Sequence, residues 1–323
     1  MNRHTAKFLQ IGLPLGLGIF LCVYVYSRFS EEQLKEVGYH FGEADYGIVA
    51  IGVSITVLSH LIRAYRWNYL LQPMGYTPSL ANNFMAVSVA YLMNLFIPKS
   101  GEVSRAIILR RYESVPFDKG FGTILSERVV DLIFLLGFTA LAFALKFSVL
   151  YNYLDENALL EKAGYVGALI AALGLGAFLV FNFVKHPLIA RLSGFLAGLK
   201  EGILSVIRMK SKGAFLIYSF FIWGLYLLSF YVSTQALEAT SDIGWGTLVI
   251  TFVLGSFTFA FTNSGFGTYP VVVAGILFVF AIPETIGTAF GWIVWISNIV
   301  SIVFFGLLSL IFLPLYNSRN RVI

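Results

Sequence analysis

The stretch Asn94–Asp131, NLFIPKSGEVSRAIILRRYESVPFDKGFGTILSERVVD, decides how the rest of the chain is read. An apolar limb ends at Phe96-Ile97-Pro98, a Lys99-Ser100-Gly101 turn follows, and Glu102 and Arg105 come directly after it. A basic and polar segment then leads into an apolar helix that carries Glu127, Arg128 and Asp131 in its interior. Ionisable side chains within apolar segments are expensive in lipid and mark function by default. Broken backbone at membrane depth survives only where protein or a water-filled cavity covers it.

The surrounding sequence is membrane-like throughout. It is 58% hydrophobic and only 12% charged, against roughly 25% charged in soluble domains, and its mean hydropathy is +0.81. Apolar runs of about 20 residues recur along its length, as spanning helices require. The net charge of +5 is therefore no sign of a nucleic-acid partner; its meaning lies in which loops carry the Lys and Arg. Cys22 is the sole cysteine, which excludes an intramolecular disulfide, and His4, His40, His60 and His186 have no metal-ligand spacing. Neither a metal nor another cofactor is expected, and no cleavable signal peptide is evident.

Six spans are expected in chain order. Span one covers roughly Phe8–Ser27 and span two Tyr46–Tyr65, joined by an acidic loop with Glu31, Glu32, Glu36, Glu43 and Asp45. The basic N-terminus and the Arg63–Arg66 end place the N-terminus in the cytoplasm and the acidic loop outside. Arg63, Arg66 and Trp67 then read as interfacial anchors, where such residues concentrate. The limb Leu80–Ile97 starts inside. A full crossing puts Lys99, Arg105, Arg110 and Arg111 outside, against the charge rule, so a re-entrant hairpin turning at Pro98–Gly101 is expected, with Gly101–Tyr112 climbing back. Two ordinary short helices with an extracellular basic loop are the alternative.

Span three follows at Gly120–Lys146, an outside loop with Asp155, Glu156 and Glu161, and span four at Ala163–Val184. The linker over 186–212 is basic, with apolar residues at helical spacing, and reads as an amphipathic helix on the cytoplasmic face. Span five is Ala214–Ala236, with Glu238 and Asp242 outside. A second hairpin, Trp245–Thr262 and Tyr269–Phe280, breaks at Asn263-Ser264-Gly265-Phe266-Gly267, and span six, Pro283–Leu315, returns to the cytoplasm. No Lys or Arg lies between Gly213 and Tyr316, which fits entry of this hairpin from outside.

The parts repeat. Residues 1–150 and 163–316 each read as two spans, a hairpin broken at a Ser-Gly turn and one long helix, within a single polytopic domain of 323 residues. The halves begin on opposite sides, so the fold class expected is an all-α integral membrane protein: about six transmembrane helices and two re-entrant helical hairpins in an inverted repeat. Many secondary transporters are built this way, with the substrate at the repeat interface.

The chemistry concentrates at the first break. Glu127 lies about 10–12 Å into span three at ~1.5 Å per residue, and Asp131, four residues on, shares its face. Arg128 needs an acid, and Glu102, Glu127 and Asp131 are the candidates; Glu102 and Arg105 at i, i+3 are also able to pair. Two readings follow: a buried ion network that fixes the hairpin against span three, or Arg105 or Arg128 binding a lipid phosphate, for which a guanidinium is well shaped. The head-group set expected is Arg105, Arg128, Glu102, Glu127, Asp131 and Asn94, with Asn263, Ser264 and Gly265 from the second turn. There is no Ser/His/Asp set, metal cluster or phosphate-binding loop. Glu127 and Asp131 are able to do acid–base work, but nothing marks a nucleophile, so an enzyme is not expected.

Arg63-x-x-Arg66-Trp67, Asn94-x-x-x-Pro98-x-x-Gly101-Glu102-x-x-Arg105-Ala106 and Glu127-Arg128-x-x-Asp131 together resemble the transmembrane, flippase-like domain of lysylphosphatidylglycerol synthases and their stand-alone relatives. The resemblance covers nearly the whole chain and implies re-entrant helices and movement of lipids or lipid-linked molecules across the bilayer. No segment resembles the family's soluble aminoacyl-transferase domain, so lipid aminoacylation is not expected. That family's second half usually shows a Gly-Gly-x-Gly turn followed by an acid, and an Arg in the last helix. Here Asn263-Ser264-Gly265-Phe266-Gly267, Pro270 and Trp292 or Trp295 stand there, and an outward cationic head-group site is not expected.

The resulting expectation is a lipid translocase of the bacterial cytoplasmic membrane, N- and C-termini inside. Its partners are membrane lipids, an anionic phospholipid or lipid-linked phosphate, and monomer or homo-oligomer stays open. The alternatives are a membrane-embedded enzyme acting on lipid-linked substrates and an accessory factor in envelope biogenesis.

Overall fold

A computed structural model describes residues 29–147 and 211–319 apart from 263, with residue 209 and scattered positions between 16 and 28. Most of the expected first span, all of the fourth, the acidic loop before it, nearly all of the 186–212 linker and Asn263 lie outside the described residues. The described residues form helices and turns and no strand.

The chain between the first two spans is a helix rather than the expected loop. α1, Glu31–Glu43, starts in a capping box: Ser30 Oγ accepts from the Gln33 amide and Gln33 Oε1 from the Ser30 amide. Glu31 and Glu32 sit in its first turn, where the helix dipole favours them. It packs against the last long helix.

α2, Tyr46–Leu71, begins on Asp45, whose Oδ1 accepts from the Gly47 and Ile48 amides. It does not stop at Tyr65. It runs on to Leu71 and a 3-10 turn over Gln72–Met74, closed by Gly75 at φ 85°. This corrects the interfacial reading of Arg63, Arg66 and Trp67. The extra turns put them inside the helix, where they are 3%, 0% and 0% exposed.

α3, Leu80–Phe96, and α4, Ser100–Tyr112, form the first helical hairpin. Its turn is three residues long, with Lys99 left-handed at φ 62°. Ser100 Oγ donates to Met93 O and Ile97 O, and the Gly101 amide donates to Asn94 Oδ1 at 2.7 Å. A Cβ on Gly101 would run into the Ala90 carbonyl oxygen. Only glycine lets the two limbs close this tightly.

α5, Phe117–Leu145, follows Pro116. α6, Lys212–Thr234, and the single turn α7, Glu238–Ser241, lead to the second hairpin: α8, Trp245–Phe261, and α9, Thr268–Val279. α10, Glu284–Arg319, closes the described fold. Four described helices, α2 with its 3-10 turn, α5, α6 and α10, are long and apolar enough to cross a membrane, and α3, α8 and α9 are shorter apolar helices. Large side chains such as Ile133, Leu136, Phe220 and Phe304 stand more than half exposed around them. A water-soluble surface rarely carries so much contiguous apolar area; in lipid it is the ordinary outer face.

Two of the long helices each pack on both hairpins. α5 lies on α4 of its own hairpin and on α8 of the other; α10 lies on α9 of its own hairpin and on α3 of the other. α2 and α6 pack together along a seam of small residues, as membrane helices do. There Ser229 Oγ donates to Gly52 O at 2.7 Å and bonds Thr56 Oγ1 at 2.7 Å. The hairpin turns touch: Lys99 Nζ donates to Ala260 O at 2.9 Å and Ser264 Oγ to Asn94 O at 3.4 Å. At the other end of the first hairpin, Asn82 and Asn317 exchange side-chain amide bonds of 2.9 and 2.8 Å, and Glu113 Oε1 accepts from Asn82 Nδ2 at 2.6 Å.

Candidate functional site

Two helical spacings build the site. Arg63 and Arg66 lie three apart on α2, and Glu127 and Asp131 four apart on α5, so each pair shares one face of its helix. Arg63 Nη1 donates to Glu127 Oε1 at 2.9 Å and to Asp131 Oδ2 at 2.7 Å. Arg66 Nη2 donates to Glu127 Oε1 at 2.7 Å and reaches Asp131 Oδ1 at 3.3 Å, while its Nη1 donates to Ser219 Oγ at 2.6 Å. α4 adds a third arginine: Arg105 Nη1 lies 2.9 Å from Glu127 Oε2. Its guanidinium carbon sits 3.6 Å from the centre of the Trp67 ring, a stacked cation–π contact. Trp67 is fixed in turn by its Nε1 donating to Thr123 Oγ1 at 2.9 Å. Arg66 lies over Phe215 at 4.9 Å.

Arg128 stands apart. Among the described residues its one ion pair is with Asp131 at 3.6 Å, and its side chain is 39% exposed. The Glu102–Arg105 pair that spacing allows does not form, because Arg105 turns to Glu127 instead. Four guanidiniums thus face two carboxylates, a formal surplus of two positive charges that Glu102 reduces to one.

A cavity of about 30 Å³ opens beside the cluster, bounded by Arg63, Tyr91, Asn94, Glu102, Arg105 and Arg128 among others. Arg105 Nε and Nη2 and Glu102 Oε2 are buried with no hydrogen-bond partner among the described residues. Two tyrosines border the cluster: Arg63 Nη2 donates to Tyr226 OH at 3.4 Å, Tyr226 OH is 3.3 Å from Tyr91 OH, and His60 stacks on Tyr91 with ring centres 4.3 Å apart.

Six residues singled out in the sequence, Asn94, Glu102, Arg105, Glu127, Arg128 and Asp131, therefore meet in one place. Ser264 reaches its edge through Asn94 O, and Trp295 Nε1 holds Ser264 O at 2.9 Å. Gly265 turns the chain at φ 73° and packs against Tyr269 and Trp295 rather than into the cavity. The sequence reading missed Arg63 and Arg66 as members, and Tyr91, Tyr226 and Ser219 altogether. The i, i+3 arginines facing an i, i+4 acid pair were a signal for the first two; nothing local marks the rest.

The geometry defines a class: a polytopic helical membrane protein with two broken hairpins whose turns meet beside a buried arginine–carboxylate cluster. The chain belongs to the family of the lysylphosphatidylglycerol synthase TM region, whose model matches residues 11–306. It is similar to UPF0104 membrane protein MJ1595 of Methanocaldococcus jannaschii, 22% identical over 275 residues that make up 75% of this chain and 77% of the relative. It is also similar to UPF0104 membrane protein PH1989 of Pyrococcus horikoshii, 25% identical over 58% of this chain and 64% of the relative. A third relative is Glycosyltransferase AglD of Haloferax volcanii, 30% identical over 97 residues, which span 30% of this chain and only 16% of that protein. No solved structure matches.

Proposed function

We propose that the protein is a lipid translocase that carries a phospholipid or lipid-linked head group across the membrane at the Arg105–Arg128 cavity, while the acyl tails stay in the bilayer. The observation that carries the reading is the surplus positive charge beside a cavity lined by a buried arginine whose Nε and Nη2 have no acceptor among the described residues. An unpaired buried donor on a charged group is costly, and a phosphate oxygen relieves it. Among the described residues, hydrogen bonds of 2.9 and 3.4 Å join the two hairpin turns beside this cavity.

In this reading the halves 1–150 and 163–316 are an inverted repeat, both hairpins are re-entrant, and both termini face the cytoplasm. The packing of α5 on α8 and α10 on α3 supports it, as does the placement of Lys and Arg. The carboxylates are occupied as arginine acceptors: Glu127 Oε1 takes two guanidiniums and Oε2 faces a third. That supports carriage without covalent chemistry over an acid–base role for Glu127 or Asp131.

The test is transbilayer movement of tail-labelled phospholipid in proteoliposomes. Protein-dependent movement is expected, slowed by Arg128→Gln, whose half-exposed side chain contributes little to folding. Folded protein that moves none of the phospholipids offered, or an Arg128→Gln variant as fast as wild type, overturns the reading.

A further inference from the structure

We infer that Lys99 and Ser264 form a reciprocal latch between the two hairpin turns, with Lys99 as its charged half, and that releasing the latch opens the path for transport; that last step rests on the translocase reading above.

The first ground is where the broken helices find their hydrogen bonds. A helix that ends leaves carbonyls without amide partners, and these must be met elsewhere. In α3 the carbonyl of Asn94 would take the amide of residue 98, but Pro98 has no N–H to give. In α8 the carbonyl of Ala260 loses the amide of Ser264, which turns to Thr262 O at 2.9 Å. Each carbonyl is met from the other hairpin: Ser264 Oγ donates to Asn94 O at 3.4 Å and Lys99 Nζ to Ala260 O at 2.9 Å. The break in each hairpin creates the acceptor that the opposite turn fills.

The second ground is the conformation and charge of the donors. Lys99 and Ser264 both hold left-handed backbone, at φ 62° and 54°. Neither is glycine, and a side chain there costs free energy that surrounding contacts must offset. The two residues that bear this cost are the two that reach across. No Lys or Arg lies between Gly213 and Tyr316, so the second half brings none to the C-terminal end of α8. The negative end of a helix dipole favours a cation, and Lys99 supplies it from the first half.

The third ground is that the join is thin. Phe96, Ile97 and Phe261, where the limbs end, stay 61%, 42% and 78% exposed. Beyond its own limbs, each hairpin packs mainly on the long helices α2, α5 and α10. Side-chain hydrogen bonds of this kind let go with little loss of apolar packing, as a gate requires. The latch also reaches the cavity. Asn94 lines it, receives Ser264 on its carbonyl and holds the Gly101 amide on Oδ1.

The experiment measures the distance between the turns by pulsed electron paramagnetic resonance on the full chain in detergent. Spin labels sit at Phe96→Cys and Phe261→Cys in a Cys22→Ser background, and size exclusion checks the folding of every variant. With Lys99 in place, one short and narrow distance is expected. Lys99→Met removes the donor and is expected to raise the ratio of long to short distances about tenfold, as loss of one hydrogen bond from a charged group allows. Lys99→Arg keeps a cationic donor and is expected to stay closed. Lys99→Gly relieves the left-handed backbone but removes the donor, so it is expected to open like Lys99→Met. An unchanged distribution in folded Lys99→Met overturns the latch, as does a closed Lys99→Gly or the lack of a short distance with Lys99 in place. The second readout is movement of tail-labelled phospholipid in proteoliposomes by the unlabelled protein, expected to rise in Lys99→Met with its open population. Turns that part while phospholipid moves at the wild-type rate overturn the link to transport alone. Wild type that moves none of the phospholipids offered overturns the translocase reading and leaves the latch standing.

Discussion

Glu127 is the residue whose loss the structure makes most costly. Its carboxylate is completely buried and faces Arg63, Arg66 and Arg105 at 2.9, 2.7 and 2.9 Å. Glu127→Gln removes the one group that touches all three, and its amide nitrogen must point a donor at a guanidinium. Asp131 still holds Arg63 and Arg66, so those two keep a partner, but Arg105 has no other ion pair among the described residues. Breaking a buried pair by deleting one side costs about 3–5 kcal/mol, a large part of the roughly 5–15 kcal/mol that holds a folded domain together. Arg128→Gln is the internal control. Its single contact is long and its side chain 39% exposed, and pairs of that kind contribute about 0–1 kcal/mol. Since Asp131 keeps Arg63 and Arg66, Arg128 strands no carboxylate when it is removed, despite sitting in the same sequence motif. Thermal unfolding in one detergent, followed by tryptophan fluorescence, is expected to show a large fall in midpoint for Glu127→Gln and a small one for Arg128→Gln. Equal midpoints for the two variants refute the assignment of Glu127 as the buried hub.

Gly101→Ala is expected to cut folded yield sharply, because its Cβ meets the Ala90 carbonyl, whereas Gly122→Ala, with open space at that position, is expected to fold like wild type; fluorescence-detected size exclusion of membrane extracts compares them. In a Cys22→Ser background, Ser100→Cys with Ser264→Cys is expected to cross-link through short bifunctional maleimides, as the touching turns require, and no cross-link in folded protein counts against turns that meet. For topology, a thiol at Ser241→Cys is expected to react with an impermeant reagent added outside and one at Arg111→Cys only after permeabilisation; the reverse pattern sinks the N-in arrangement.

The hairpins were legible to within a residue or so at most of their ends. Leu80–Ile97 was expected and Leu80–Phe96 found, Trp245–Thr262 expected and Trp245–Phe261 found, because Pro98 and the glycine-bearing turns stop helices by local chemistry that a sequence shows. α2 was truncated for the opposite reason: arginine is an exit signal on a hydropathy scale, and what buries Arg63 and Arg66 is a pair of acids 61 to 68 residues away. Local rules also favoured Glu102 for Arg105, and tertiary contact with Glu127 prevailed. α1 is signalled only by Ser30-x-x-Gln33, a capping box set in an acidic stretch whose composition is that of a loop.

The clasp between Asn82 and Asn317 has a consequence for biogenesis. Its partners are 235 residues apart, and chains are synthesised at about 5–20 residues per second, so the first hairpin waits roughly 10–50 s for the helix that secures its base. The arginine–carboxylate cluster spans at most 68 residues and closes first. Assembly is thus expected to run from the charged centre outward, with a nascent intermediate whose α3 flank is bare until α10 inserts. A ribosome stalled before α10 would hold that intermediate, with Asn82 bonded to Glu113 but still without its partner on α10.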